Sequence, residues 1–176
     1  MSNKALFLDR DGIINVDKGY VYRWEDIIWV DEIFEIIKMG NQKGYKVIVL
    51  TNQSGVHKGM YTEADVKILH QKMDTYLRAQ NLIVDDWFYC TEMDSNDRKP
   101  RPGMLLAAQK KYDIDFSKSF MVGDKATDIF ETDGLFQRPT TLLVRGQYSL
   151  EHSDVGNGVT VYENHQEIQN ILKKIL

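Results

Sequence analysis

Four short polar clusters, each placed directly after an apolar run, hold the residues able to do chemistry. Asp9-Arg10-Asp11-Gly12 follows residues 4–8, and Thr51-Asn52-Gln53-Ser54-Gly55 follows residues 46–50. Arg98-Lys99-Pro100 comes a short loop after residues 87–90, and Gly123-Asp124-Lys125, with Asp128, follows residues 119–122. Carboxylates, a hydroxyl and lysines together suit a magnesium ion and a phosphate.

A phosphorus nucleophile needs a carboxylate held in line with the P–O bond, and an aspartate can form an acyl phosphate. Asp9 or Asp11 offers that group, and the neighbouring carboxylate can protonate a leaving alkoxide and later activate water. Two carboxylates repel a phosphate dianion, so a hard cation with oxygen ligands is required, and magnesium fits. Asp124 supplies a further ligand, and Asp128, one helical turn on, can order metal-bound water. Thr51 with Asn52, Gln53, Ser54 and Gly55 offers hydroxyl, amide and backbone donors to phosphate oxygens, or simply a turn that caps a helix. Lys99 places a compact positive charge, and Arg98 can fork onto a second anion. Pro100 and Pro102 stiffen their loop. Lys125 is either an ion-pair partner of the carboxylates or a substrate contact.

These clusters converge only if the elements before them lie side by side. In an open parallel sheet the carboxyl ends of the strands share one edge, where ligands bind. Residues 5–8 and 47–50 are continuous apolar runs, as in strands covered on both faces. Residues 87–89, 120–122 and 141–144 give three more strands, and 159–162 a short sixth. Asp31 is placed to cap a helix carrying Ile33, Phe34, Ile36 and Ile37 inward and ending near Gly44. Thr62 with Asp65 opens another with a capping box, its stripe being Val66, Leu69, Met73, Tyr76 and Leu77. Pro102-Gly103 precedes a helix to about Tyr112, another starts near Ala126, and Ile168, Ile171, Leu172 and Ile175 mark the last. The expectation is a doubly wound, mainly parallel α/β sheet with helices on both faces, in a single domain spanning residues 1–176. Residues 15–31 and 91–102 follow strand ends and wall the cleft.

Bulk properties narrow the class. The chain has 176 residues, 43% hydrophobic and 27% charged, an ordinary globular composition. Its net charge of −4 argues against phosphate neutralisation on a nucleic acid. No apolar stretch reaches transmembrane length. A lone Cys90 and a strand starting by residue 5 point to a reducing compartment, the cytoplasm, with no export leader. His57, His70, His152 and His165 lack metal-ligand spacing and read as surface or packing residues, and Trp24, Trp29 and Trp87 as packing.

The ordered set Asp9-x-Asp11-Gly12, Thr51, Lys99 and Gly123-Asp124 to Asp128 resembles the four motifs of the haloacid-dehalogenase superfamily of phosphatases. The tracts Phe7-Leu-Asp-Arg-Asp-Gly, Thr51-Asn-Gln-Ser-Gly, Arg98-Lys-Pro-x-Pro-Gly-Met and Met121-Val-Gly-Asp-Lys narrow it to the branch of heptose-bisphosphate and histidinol-phosphate phosphatases. The resemblance covers residues 4 to about 146 and implies a Rossmann-like core with a minimal cap. It implies Asp9 as nucleophile, Asp11 as general acid/base, and Thr51 and Lys99 as holders of the transferring phosphate. Magnesium would sit on Asp9, the backbone carbonyl of Asp11, and Asp124, with Asp128 behind it. Asp17, Lys18, Gly19, Tyr20, Asn52, Gln53, Ser54, Arg98 and Lys125 would contact a small phosphorylated sugar, a heptose bisphosphate or else histidinol phosphate. The enzyme would act as a monomer without nucleic-acid or membrane partners.

The chain departs from that branch in its loop before Arg98. The usual structural zinc ligands are missing except Cys90: Glu92, Ser95 and Asp97 stand at the others, and one thiolate does not make a tetrahedral site. Ile13, His57-Lys58 and residues 130–139 also differ. Other readings are a receiver-type phospho-accepting module, a silent binding protein and a phosphotransferase. The receiver would need its acceptor aspartate after the third strand, where this chain has Cys90.

Overall fold

The first strand, β1 (Ala5–Leu8), is buried on both faces, which its unbroken apolar sequence permits because neither face must meet water. The computed structural model describes residues 2–145 and 158–176. Five further strands join it: β2 (Lys46–Asn52), β3 (Asp86–Cys90), β4 (Phe120–Gly123), β5 (Thr140–Val144) and β6 (Val159–Tyr162). Their order is β3-β2-β1-β4-β5-β6, every pair parallel. The direction of winding reverses at β1, so the crevice at a topological switch point opens where β1 and β4 end.

Alternation along the strands divides the core. Leu6, Leu8, Val47, Val49, Val122, Leu142 and Val144 pack with α1 (Ile33–Gln42), α2 (Glu63–Arg78) and α4 (His165–Ile175). Ala5, Phe7, Ile48, Leu50 and Met121 pack on the opposite face with α3 (Gly103–Tyr112). The Thr62–Asp65 capping box forms as its spacing implies. This is the expected doubly wound α/β architecture, with the sheet parallel throughout.

Two expectations are corrected. No helix runs on from Ala126: a single 3-10 turn, Ala126–Asp128, ends at Ile129. The following residues have no helical period, and Asp133 and Gly134 take positive φ. Phe130 and Phe136 fill the second face there against Phe116 and its neighbours. Asp31 does not cap α1, because the chain enters through a turn in which Glu32 is the capping position and gives no side-chain bond. Of the histidines expected at the surface or in packing, His70 packs: it lies in the core stripe of α2 with Val66, Leu69, Met73 and Leu77, while Tyr76 sits at its margin.

Among the described residues no further folded unit is inserted over the strand ends. The segment after β1 is fastened instead by Asn15, which bridges Trp29, and by Trp24 and Trp29 packed on Tyr76. His152 lies outside the described residues.

Candidate active site

Asp9 continues β1 by one residue, its N–H donating to the Val122 carbonyl at 2.9 Å. The carboxylate is therefore rigid and almost wholly buried. Oδ1 accepts from the Arg10 N–H at 2.8 Å and from Lys99 Nζ at 2.9 Å. Burial pushes the Asp9 carboxyl up to about 6, even though Lys99 pulls the other way. Asp124, at the end of β4, is also buried, and its Oδ1 has no hydrogen-bond partner among the described residues. Burial, then the nearby Asp9 charge, lifts its carboxyl to about 8.

Carboxylate oxygens of Asp9, Asp124 and Asp128 come within 4.8 Å of one another. Both oxygens of Asp128 are already engaged. Oδ1 accepts from Lys99 Nζ at 2.5 Å, and Oδ2 from the N–H groups of Asp124 and Lys125 at 3.1 Å each. Asp128 thus stands behind the cluster, aiming Lys99 and the turn that carries Asp124. The oxygen of Asp124 that lacks a partner among the described residues, beside Asp9, fits a hard oxygen-seeking cation, which offsets the cost of burying two ionised carboxyls side by side. Gly12 leaves room for this: at φ +97° it is in the left-handed region, and a Cβ there would lie 2.2 Å from Asp124 Oδ2.

Lys99 is buried with its cation facing Asp9 and Asp128. Burial lowers a lysine, but those two carboxylates outweigh it and its ammonium is held above the ordinary range. Its backbone is fixed by Asn52, whose amide donates to the Lys99 carbonyl and accepts from the Lys99 N–H, both at 3.0 Å. Asn52 therefore splints the loop of Lys99 onto the end of β2 while lining the cleft.

Asp11 faces the same cleft. Arg10 Nη2 donates to both its oxygens, at 3.0 and 2.8 Å. Asn15 Nδ2 and Gln53 Nε2 add one bond each, at 3.0 Å. Burial alone would raise Asp11, but the Arg10 charge and these hydrogen bonds hold it below the usual carboxylate value. Gln53 also donates to Thr51 Oγ1 at 2.9 Å and accepts from Tyr61 Oη at 2.9 Å. Its amide is thus engaged within the protein at both ends.

The cleft has two lobes that share Asp11, Asn52, Ser54 and Lys125. One, of about 190 Å³, is lined by Asp9, Thr51, Arg98, Lys99 and Thr127. Arg98 Nη1 in it lacks a partner among the described residues. The other, of about 200 Å³, is lined by Asp17, Gly19, Tyr20, Gln53 and Tyr61. Lys125 spans toward it in an ion pair with Asp17 at 2.8 Å. Tyr20, at φ 53°, meets Lys58 across this rim. Lys18 is exposed and outside the lining of both lobes. The structure therefore brings Asp9, Asp11, Thr51, Lys99 and Asp124 together, and gathers every expected substrate contact except Lys18.

Several residues at the site escape the motif reading. Arg10, Asn15 and Tyr61 all touch the ring of contacts around Asp11 and Gln53. His165, the first residue of α4, meets the Gly12 carbonyl at 2.7 Å. A charged residue inside Asp-x-Asp and a histidine on an apolar stripe are the signals that mark Arg10 and His70. His165 has no such mark.

Comparison with known proteins follows the same outline. A model of the polynucleotide kinase 3 phosphatase family matches residues 7–172. The D-glycero-beta-D-manno-heptose-1,7-bisphosphate 7-phosphatase of Helicobacter pylori is 38% identical over 156 residues, covering 86% of this chain and 90% of that protein. The D-glycero-alpha-D-manno-heptose-1,7-bisphosphate 7-phosphatase of Campylobacter jejuni is 36% identical over 175 residues, 99% of this chain and 98% of that one. The crystal structure of D,D-heptose 1,7-bisphosphate phosphatase from B. bronchiseptica, complexed with magnesium and phosphate, matches with a TM-score of 0.85 at 28% identity. That match covers 97% of this chain and 98% of that one.

Proposed function

Because the chain belongs to the polynucleotide kinase 3 phosphatase family, within the haloacid-dehalogenase superfamily, we propose that it hydrolyses a phosphomonoester of a small sugar through an aspartyl phosphate on Asp9. The substrate is a D-glycero-D-manno-heptose 1,7-bisphosphate, the compound named for relatives that align over nearly their whole lengths. The observation that carries the chemistry is the pairing of Asp9 with Lys99 beside the unpartnered oxygen of Asp124.

In the first step an Asp9 oxygen attacks phosphorus, the P–O bond to the sugar breaks, and Asp11 gives its proton to the leaving alkoxide. The incoming phosphate dianion adds negative charge beside Asp11 and so raises its affinity for a proton. In the second step Asp11 takes a proton from water, whose oxygen attacks the phosphorus and frees Asp9 and inorganic phosphate. Thr51 and Lys99 hold the transferring phosphoryl group, and Arg98 receives a second anionic group. Asp17, Gly19, Tyr20, Ser54 and Lys125 line the sugar's lobe, and Lys18 serves at its outer rim. Asp9, Asp124 and the Asp11 carbonyl would hold magnesium, which when bound supplies positive charge against the repulsion between phosphate and carboxylates.

An acidic chain of net charge −4 and pI near 5.6 is a poor match to a polynucleotide, which favours a small substrate. No helix of the described residues is long and apolar enough to cross a membrane. The same reading has the chain acting as one domain, a monomer in the cytoplasm, without structural zinc. In the loop where zinc ligands are replaced, backbone bonds from Arg98 to Ser95 and from Gly103 to Asn96 make the turns.

Phosphate release from sugar mono- and bisphosphates, with magnesium and with chelator, tests this reading. Both anomers of the heptose bisphosphate should exceed histidinol phosphate in kcat/KM, the better anomer by about 10²-fold or more. Preference for histidinol phosphate would overturn the sugar assignment, and activity in chelator the metal.

Magnesium should also stabilise the fold in a pH-dependent way. Carboxyls raised above their unfolded values favour folding only while protonated. That contribution is present below about 4 and is lost as pH rises through about 6 for Asp9 and about 8 for Asp124. A cation replaces those protons, so the rise in Tm on adding magnesium should be larger above pH 8 than below pH 6. An equal rise at both would show that the cation binds elsewhere.

A further inference from the structure

Arg10 is completely buried, and its guanidinium is held from two sides. Nη2 donates to both oxygens of Asp11 and to the Val21 carbonyl at 2.6 Å. Nη1 lies 3.1 Å from His70 Nε2. A guanidinium has donors only, so His70 Nε2 must accept, and the ring is neutral with its proton on Nδ1. Burial first, and the Arg10 charge second, keep His70 well below the ordinary histidine range, in agreement with a neutral ring.

That Nδ1 is itself buried with no partner among the described residues. Leaving a buried donor unpaired costs about 1–3 kcal/mol. An apolar side chain at position 70 would continue the stripe of Val66, Leu69, Met73 and Leu77 without that cost. Packing therefore does not account for an imidazole here, whereas an acceptor for Arg10 does. The ring is fixed in place by Trp87, stacked at 5.0 Å, and by Tyr89, edge-on at 5.6 Å. With Nη1 anchored, the planar fork has one orientation, the one that presents Nη2 to Asp11.

We propose that His70 is a positioning residue which, through Arg10, fixes the Asp11 carboxyl for proton transfer to the leaving alkoxide. This rests on the reading of Asp11 as the acid. An alkyl phosphate needs that proton, because its leaving group is strongly basic, whereas an aryl phosphate such as 4-nitrophenyl phosphate does not. A merely structural role would lower kcat/KM for both together.

The test compares H70M with H70Q, which match in length and differ in offering an acceptor. Substrates are 4-nitrophenyl phosphate and the best alkyl phosphate of the release screen. H70M should lose about tenfold in kcat/KM on the alkyl substrate and stay within about threefold on the aryl one, with H70Q recovering most of the loss. D11N should show the same selectivity, more strongly. Equal losses on both substrates, no difference between the two His70 variants, or an unimpaired H70M would overturn the proposal. A D11N enzyme without selectivity would overturn the premise about Asp11 itself, and the proposal with it. Should H70M not fold, H70F, which keeps a ring between Trp87 and Tyr89, is compared with H70Q in the same assays.

Discussion

Replacing Asp9 by Asn should lower phosphate release by ~10³-fold or more while the protein remains folded. The amide keeps the shape of the carboxylate and an oxygen able to accept from Arg10 N–H and Lys99, as the carboxylate does at 2.8 and 2.9 Å. What it lacks is the anionic nucleophile. Removing that charge also removes the cost of burying it, which lifts Asp9 to about 6, and takes away the charge that, after burial, lifts Asp124 to about 8. The metal-free D9N protein should therefore melt at or above the wild-type temperature above pH 6, the region in which an ionised Asp9 destabilises the fold. Steady-state release and a thermal melt on the same preparation separate the two effects. Activity within tenfold of wild type would remove Asp9 from the centre of the mechanism.

Replacing Lys99 by Met should damage both activity and stability. The ammonium is buried between Asp9 and Asp128, at 2.9 and 2.5 Å, and an apolar chain there leaves two buried carboxylates unmatched. Breaking a buried ion pair from one side costs about 3–5 kcal/mol. For a chain of this size that is a fall of roughly 10 °C in Tm. Lost electrostatic stabilisation of the transferring phosphoryl group should lower kcat by ~10²–10³-fold. The stability loss carries a pH signature. Without Lys99 the Asp9 carboxyl rises further above about 6, so the penalty should shrink as pH falls toward 6, where the variant's carboxyl takes a proton instead, and level off below it. A K99M melt unchanged near neutral pH would mean that the cation does not hold the cluster together.

Much of this architecture is legible in the sequence because its signals are local. Residues 5–8 and 47–50 cannot be amphipathic surface elements, since they have no polar alternation, and both are buried strands. Thr62 and Asp65 cap α2 at the spacing that reciprocal bonds require. The clusters after β1, β2 and β4 meet because a parallel sheet aligns strand ends whatever lies between them. What stays hidden depends on partners far apart in the chain. The helix expected from Ala126 fails because Phe130 and Phe136 gain burial as loop residues against α3's face of the sheet, a tertiary effect with no periodic trace. Asp31 has the right type for a cap but sits one residue before the position where α1 needs it. Asn52 reads as a ligand-facing amide, yet its main bonds are to the backbone of Lys99, forty-seven residues away. Arg10 and His70, sixty residues apart, meet only once α2 has packed over the end of β1. The same limit holds for Gln53, whose amide serves Asp11, Thr51 and Tyr61 at once.

The most direct test of the account is a crystal soaked with magnesium and beryllium fluoride, a mimic of a phosphorylated aspartate. The expected map has the fluoride group bonded to an Asp9 oxygen, Lys99 beside it, and one cation shared by the Asp9 and Asp124 carboxylates. Beryllium on another side chain, or Asp9 and Asp124 turned apart with no ion between them, would contradict it.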